Sequence, residues 1–313
     1  MLPRSLAFLL TIFVLHFFLH SAVDAAWQAT KIAEVDGFQI PECVVIDTEN
    51  KRGYVSNVAA AAEGKGYERF WADDGNGFIS QFSVPDVPQR SRRKNKNQVS
   101  KPENPTSEDL ARSDAEFRFS GPKGMCLLGD TLWVTDIDRV LVFSVTGKFA
   151  PQVVEVPGAV ALNDMATDGK FTYVTDSAAG KCYRLHSNGQ HEEIPAPKGI
   201  NGITFHNDKM YGASWGLSDI YELDRDGKNA PRAFGLTEHF KTPDGIEVLS
   251  DGTFVVSDSE GNQVVTIAPD EKTVNRIIEC AAPADIGIDR SRGLLFVPRF
   301  FESKVDIYQL ENR

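Results

Sequence analysis

The chain has 313 residues, 42% hydrophobic and 25% charged, a composition that excludes a disordered, collagen-like or polytopic membrane protein. Its 33 basic and 44 acidic residues give a formal charge of -11. That balance argues against a protein that tracks nucleic-acid phosphates and for one that handles cations or neutral ligands.

Arg4 precedes an apolar run from Leu6 to Leu19, and small residues stand at Val23 and Ala25. This is the layout of a secretory signal, with a run shorter than the roughly 20 residues of a membrane span. The expectation is a signal peptide at 1–25 and a single mature domain at 26–313. The protein is then secreted or periplasmic, with no membrane span once the signal is removed.

Trp27–Val35 reads as a strand. After it one pattern recurs six times: a polar residue following a turn, a short apolar strand, a tight turn, a second strand and then a third. The polar anchors are Glu42, Lys123, Asn163, Asn201, Asp244 and Asp285, and from Lys123 onward they lie 40, 38, 43 and 41 residues apart. Turns such as Asp168-Gly169, Asn207-Asp208 and Asp251-Gly252 separate the paired strands, as hairpins require. A period near 40 with several strands per repeat is the signature of propeller blades. The fold expected is all-β: a six-bladed β-propeller with four-stranded blades. The chain end supplies only three strands, finishing near Leu310, so the N-terminal strand is expected to complete the last blade and close the ring, which removes exposed edges.

The interval from Glu42 to Lys123 is 81 residues, about double the period. Residues 86–114 begin with a basic run through Arg90, Arg92, Arg93, Lys94 and Lys96 and continue rich in Pro, Asn and Ser. That stretch is too polar to bury a sheet and reads as a disordered-type insertion. It is a solvated loop or a site for an anionic partner. Cys43, Cys126, Cys182 and Cys280 form no CxxC or Cys/His cluster, which excludes a zinc knuckle and leaves one or two disulfides or buried free thiols.

In a propeller the innermost strand of each blade starts at one axial mouth. The six anchors therefore converge there, and the ends of the second strands add Asn57, Asp136, Asp176, Trp215, Asp258 and Arg299 to the rim. Carboxylates brought together repel unless protonated, paired or bound to a cation. Oxygen donors without His or Cys suit a hard ion such as Ca²⁺, Mg²⁺ or Mn²⁺, and Lys123 offers an alternative neutralising charge.

Pro41-Glu42, Leu162-Asn163-Asp164, Ile200-Asn201-Gly202 and Pro243-Asp244-Gly245 stand in phase with the repeat. Through them the chain resembles the gluconolactonase/regucalcin-like (senescence-marker-protein-like) family of six-bladed propellers over nearly all of 27–313. The ending PADIGIDRSRGLLFVPRF is closer to exported bacterial members. The resemblance implies a divalent metal held by Glu42, Asn201 and Asp244, with Asn163 near metal-bound water or substrate. Ca²⁺ is the first expectation, then Mg²⁺, Mn²⁺ or Zn²⁺. The family's acidic-Gly-Pro start is here Pro-Glu-Cys, and Ala161-Leu162 stand where the family has a substrate-contacting Arg.

The function expected is a metal-dependent hydrolase of lactone or ester type acting on a small lactone or sugar-like substrate. Asp244 is ligand and general base, Asn163 orients water or substrate, and Lys123, Asp136, Asp176, Trp215, Asp258, Asp285 and Arg299 shape the pocket. The alternative is a non-catalytic binding propeller whose metal is structural or absent. No Ser-His-Asp or Cys-His arrangement can be placed at the mouth.

Overall fold

A computed structural model describes residues 27–59, 67–86, 104–114, 117–186 and 190–313. The expected signal peptide lies outside the described residues. In them no helix is long and apolar enough to cross a membrane.

The described chain is built from 24 strands in six four-stranded sheets. β1 (Trp27–Asp36) comes first. Blade one is β2 (Pro41–Asp47), β3 (Arg52–Asn57), β4 (Phe78–Ser83) and β5 (Ser107–Arg112). Blade two is β6 (Pro122–Leu128), β7 (Thr131–Asp136), β8 (Arg139–Ser144) and β9 (Gln152–Glu155). Blade three follows as β10 (Leu162–Thr167), β11 (Thr172–Asp176), β12 (Lys181–Leu185) and β13 (His191–Pro195). Blade four is β14 (Ile200–His206), β15 (Lys209–Ser214), β16 (Asp219–Leu223) and the short β17 (Arg232–Ala233). Blade five is β18 (Pro243–Val248), β19 (Phe254–Asp258), β20 (Gln263–Ile267) and β21 (Val274–Glu279). Blade six takes β22 (Gly287–Asp289), β23 (Leu294–Arg299) and β24 (Lys304–Asn312), and β1 adds its outer strand. The six-bladed propeller read from the repeats is the fold, and the N-terminal strand closes it. Trp27 pairs with Asn312 and Asp36 with Lys304 along an antiparallel ladder.

Part of the expected insertion differs. Residues 87–103, with the basic run, lie outside the described residues. Ser107–Arg112 does not: it is the outer strand of blade one, paired with β4. An outermost strand needs only one partner and half-buried side chains, so Ser107, Glu108 and Asp109 are compatible with a strand there. Their polarity is what hides it in the sequence.

The inner strands bury both faces, because each blade packs against two neighbours. In β19, Phe254 and Val256 face blade four, while Val255 faces blade six, the two-residue alternation of a strand. One apolar cluster fills each gap between adjacent blades, including the gap that closes the ring between blades six and one. All four cysteines are free and buried, which decides between the two readings of them. Burial raises their thiols, that of Cys280 to about 11.

The anchors have a shared local cause. In blades one to five the pairing of the first strand with the second slips just after its first residue: between Pro41 and Val44, Pro122 and Met125, Leu162 and Met165, Ile200 and Ile203, and Pro243 and Ile246. A bulge releases a residue from the ladder and re-aims its side chain. Here it frees the anchor and its successor at the channel. The successor is often Gly because adjacent blades almost touch at this level. A Cβ on Gly202 would lie 2.1 Å from the Asp244 carbonyl oxygen, and one on Gly245 would lie 2.4 Å from Asp285 Oδ1.

Candidate functional site

One axial mouth opens into a cavity of about 260 Å³ whose lining includes Glu42, Lys123, Asn163, Asn201, Asp244 and Trp215. Five bulged anchors, one of them a lysine, thus meet in one place. Asn201 Nδ2 donates to Asp244 Oδ1 at 2.6 Å. Asn163 Nδ2 donates to Ser177 Oγ at 3.2 Å, and that hydroxyl donates on to the Ile200 carbonyl at 2.6 Å. Lys123 Nζ donates to the Phe70 carbonyl at 2.7 Å and stands 4.2 Å from the centre of the Trp71 ring.

Burial dominates the electrostatics. It raises Glu42 well above the usual carboxylate range, and the neighbouring Asp244 raises it further while Lys123 opposes. Asp244 is pushed up to about 7, again by burial, against the Asn201 hydrogen bond and the Lys123 charge. Lys123 is lowered to about 8 by burial, with Glu42, Asp136 and Asp244 working the other way.

The donor set fits a divalent cation. Among the described residues, the buried oxygens Glu42 Oε2 and Asn163 Oδ1 have no hydrogen-bond partner, and buried oxygens are seldom left so. They sit with a second carboxylate and a second amide, all oxygen donors of the kind hard cations take. Lys123 is engaged by a carbonyl and a ring.

Five residues expected at the rim do different work, and the first of them, Asn57, is fully buried, accepting the N–H of Gln39 at its Oδ1 and donating from Nδ2 to Ser80 Oγ. Asp136, Asp176 and Asp258 end the second strands of their blades and are fully buried, but they do not line the cavity. Asp136 Oδ1 accepts the backbone N–H of Ser120 and Gly121. The Asp176 carboxylate accepts those of Val160, Ala161 and Ala179, and Asp258 those of Lys241, Thr242 and Gly261. Each ties down the loop that leads into the first strand of its own blade, since those N–H groups lie outside any ladder and must be satisfied. Arg299 is turned into its blade, with Nη1 on Asp306 Oδ2 at 2.8 Å and Nε on the Ala281 carbonyl at 3.1 Å.

Asp285 belongs to the far side of the channel. It lines a separate cavity of about 700 Å³ with Cys43 and Asp164, and ligand atoms of these three lie within 4.8 Å of one another. Asp164 accepts the N–H groups of Met165 at 2.6 Å and Ile203 at 2.7 Å, and burial pushes it up to about 7. This is a structural knot between blades.

Replacing Asp258 by Ala strands those N–H groups, each costing about 1–3 kcal/mol if left unsatisfied. The expected result is a loss of roughly 2–4 kcal/mol in urea unfolding, with kcat/KM of the folded protein retained. A rim residue that contacts substrate would show the reverse.

The sequence reading missed the aromatic side of the cavity: Phe70, Trp71, Phe300 and Phe301. Phe70 and Trp71 sit in a short 3-10 turn, Tyr67–Trp71, between β3 and β4, and Phe300 and Phe301 follow β23. The available signal was paired aromatics in polar connecting segments.

No protein-family model matches the sequence, and no curated protein matches it. Solved structures do. A putative gluconolactonase is 13% identical over 92% of this chain and 94% of its own, with a TM-score of 0.62. A luciferin-regenerating enzyme is 14% identical, covering 92% and 96%, with a TM-score of 0.62. Virginiamycin B lyase from Staphylococcus aureus is 12% identical, covering 92% and 88%, with a TM-score of 0.58. Identity this low carries architecture only, and what the chain shares with them is its overall fold.

Proposed function

We propose that the protein is an exported, metal-dependent hydrolase of lactones or related esters. The observation that carries this is the pair of unpartnered buried oxygens, Glu42 Oε2 and Asn163 Oδ1, facing the same cavity as the Asn201–Asp244 pair. Glu42, Asn201 and Asp244 would hold a divalent cation, Ca²⁺ first, with Asn163 beside them. When bound, such an ion polarises an ester carbonyl as a Lewis acid.

The chain's own groups supply the rest. Asn201 fixes Asp244 through Oδ1, leaving Oδ2 to take a proton from an attacking water. A carboxylate in hydrogen-bond reach of the attacking water is the group for that task. Asn163, braced by Ser177, orients water or substrate through Oδ1. Lys123 keeps one positive charge on the floor, held in place by the Phe70 carbonyl and the Trp71 ring. The putative gluconolactonase among the solved structures of this fold supports a small-molecule substrate.

Chelator-stripped protein titrated with Ca²⁺ tests the reading. Hydrolysis of simple lactones is expected only with the ion present, and Tm is expected to rise, by about 2.7 kcal/mol of stability at 100 times Kd. A rise in Tm without turnover would favour the non-catalytic binding propeller. Ion-independent turnover would dismiss the metal.

A further inference from the structure

The cavity has two unlike halves. Its floor is polar: Glu42, Asn163, Asn201, Asp244 and Lys123. Its wall is aromatic and comes from three separate blades. Phe70, after β3, meets Phe300, after β23, with ring centroids 5.0 Å apart at 81°. Phe300 meets Phe301 at 5.0 Å and 89°, and Phe70 meets Phe301 at 6.4 Å and 50°. These contacts join blade one to blade six in a three-ring cluster beside Trp71. Blade four adds Trp215 to the lining.

Two of these side chains are left wet. Trp215 is 46% exposed and Phe301 58%, among the few large apolar residues so exposed in the described chain. Single exposed apolar side chains need no explanation, but rings gathered around a concave opening mark a recognition surface. Edge-to-face neighbours extend naturally to another aromatic ring, since they already satisfy the quadrupole preference for tilted packing. Any hydroxyl of a sugar lactone turned to this side would lose water against ring carbon, without a replacement hydrogen bond. At about 260 Å³ the cavity lies just below the usual range for ligand sites, enough for a compact one- or two-ring molecule.

We propose that the site takes a lactone or ester bearing an aryl or fused-aromatic group. The aryl part packs on Phe70, Phe301 and Trp215, and the carbonyl lies over Glu42 and Asp244. This rests on the hydrolase reading above and narrows its substrate class away from polyhydroxylated lactones.

The test pairs turnover with binding, on the Ca²⁺-loaded protein and on Trp215→Ala and Phe301→Ala, whose exposed sites tolerate truncation. Substrates are dihydrocoumarin, δ-valerolactone and δ-gluconolactone. The corresponding aryl and sugar lactams, which resist hydrolysis, are titrated by calorimetry. The expected kcat/KM for dihydrocoumarin is at least tenfold above that for gluconolactone. Each variant is expected to lower the dihydrocoumarin-to-valerolactone ratio by about 5- to 30-fold, with the Ca²⁺-dependent rise in Tm kept. Equal or better use of gluconolactone, or a ratio unmoved in both variants, overturns the proposal. If no lactone is turned over, the hydrolase reading fails, and calorimetry still judges the recognition. Aryl-lactam binding weakened by Trp215→Ala upholds the aryl preference, and sugar-lactam binding or no binding of either overturns it.

Discussion

Asp244→Asn is expected to abolish both turnover and the metal-dependent rise in Tm, while making the metal-free protein more stable at neutral pH. The first half follows because the variant keeps the shape and the Asn201 contact but removes the charge and the proton acceptor. The second half follows from burial. Asp244 is raised from 3.8 to about 7 in the folded protein, so the unfolded chain loses that proton at lower pH than the folded one. Between those two values the folded state binds more protons than the unfolded state, and stability falls as pH rises. Below about pH 4 wild type and variant should match, and by pH 7 the metal-free variant should lead. The gain is smaller than burial alone implies, because Lys123 loses a carboxylate that stabilises its ammonium. A lead of about 1–3 kcal/mol in urea unfolding is the expected size. Saturating Ca²⁺ should reverse the order, since only wild type retains both carboxylates. A metal-free variant less stable than wild type at pH 7 would mean that the Asp244 charge is paired in a way the geometry does not contain.

Val35→Asp is expected to open the ring. Val35 is fully buried on β1 and pairs with Val305. It packs in the cluster that joins blade six to blade one, with Phe82, Phe296 and Ile307. A carboxylate there has no cation beside it, and an unpaired buried charge is among the few single changes that cost more than about 4 kcal/mol. The closure strand is also where the first and last segments of the described chain meet, so its loss exposes the edge of β24 and one face of blade one. The expected readout is a fall in Tm far larger than that of Asp258→Ala, with aggregation on heating. Thr30→Asp, on the same strand but exposed, serves as the control and should shift Tm by no more than a degree or two.

Much of this molecule is written locally. The 40-residue period, the hairpin turns and the two-residue alternation placed the blades. The shortfall of one strand at the C-terminus placed β1. The anchors Glu42, Asn163, Asn201 and Asp244 were found because they hold one phase in the repeat, and that phase is what brings them to one mouth. The same phase misled at Asp136, Asp176 and Asp258. They too recur in register, but the recurrence reflects a task repeated within each blade, binding the N–H groups of its own lead-in loop.

Period and alternation determine which residues share a level and a face, because strand geometry is fixed by the backbone. They do not determine whether a carboxylate at that level turns to the channel or back to its own chain. That choice depends on the bulges and on which N–H groups lack a ladder partner, both settled when strands distant in sequence align. The aromatic wall is the extreme case: Phe70, Phe300, Phe301 and Trp215 come from connecting segments outside the repeat. Only closure of the ring, driven by burial between blades six and one, carries the first three to a common edge.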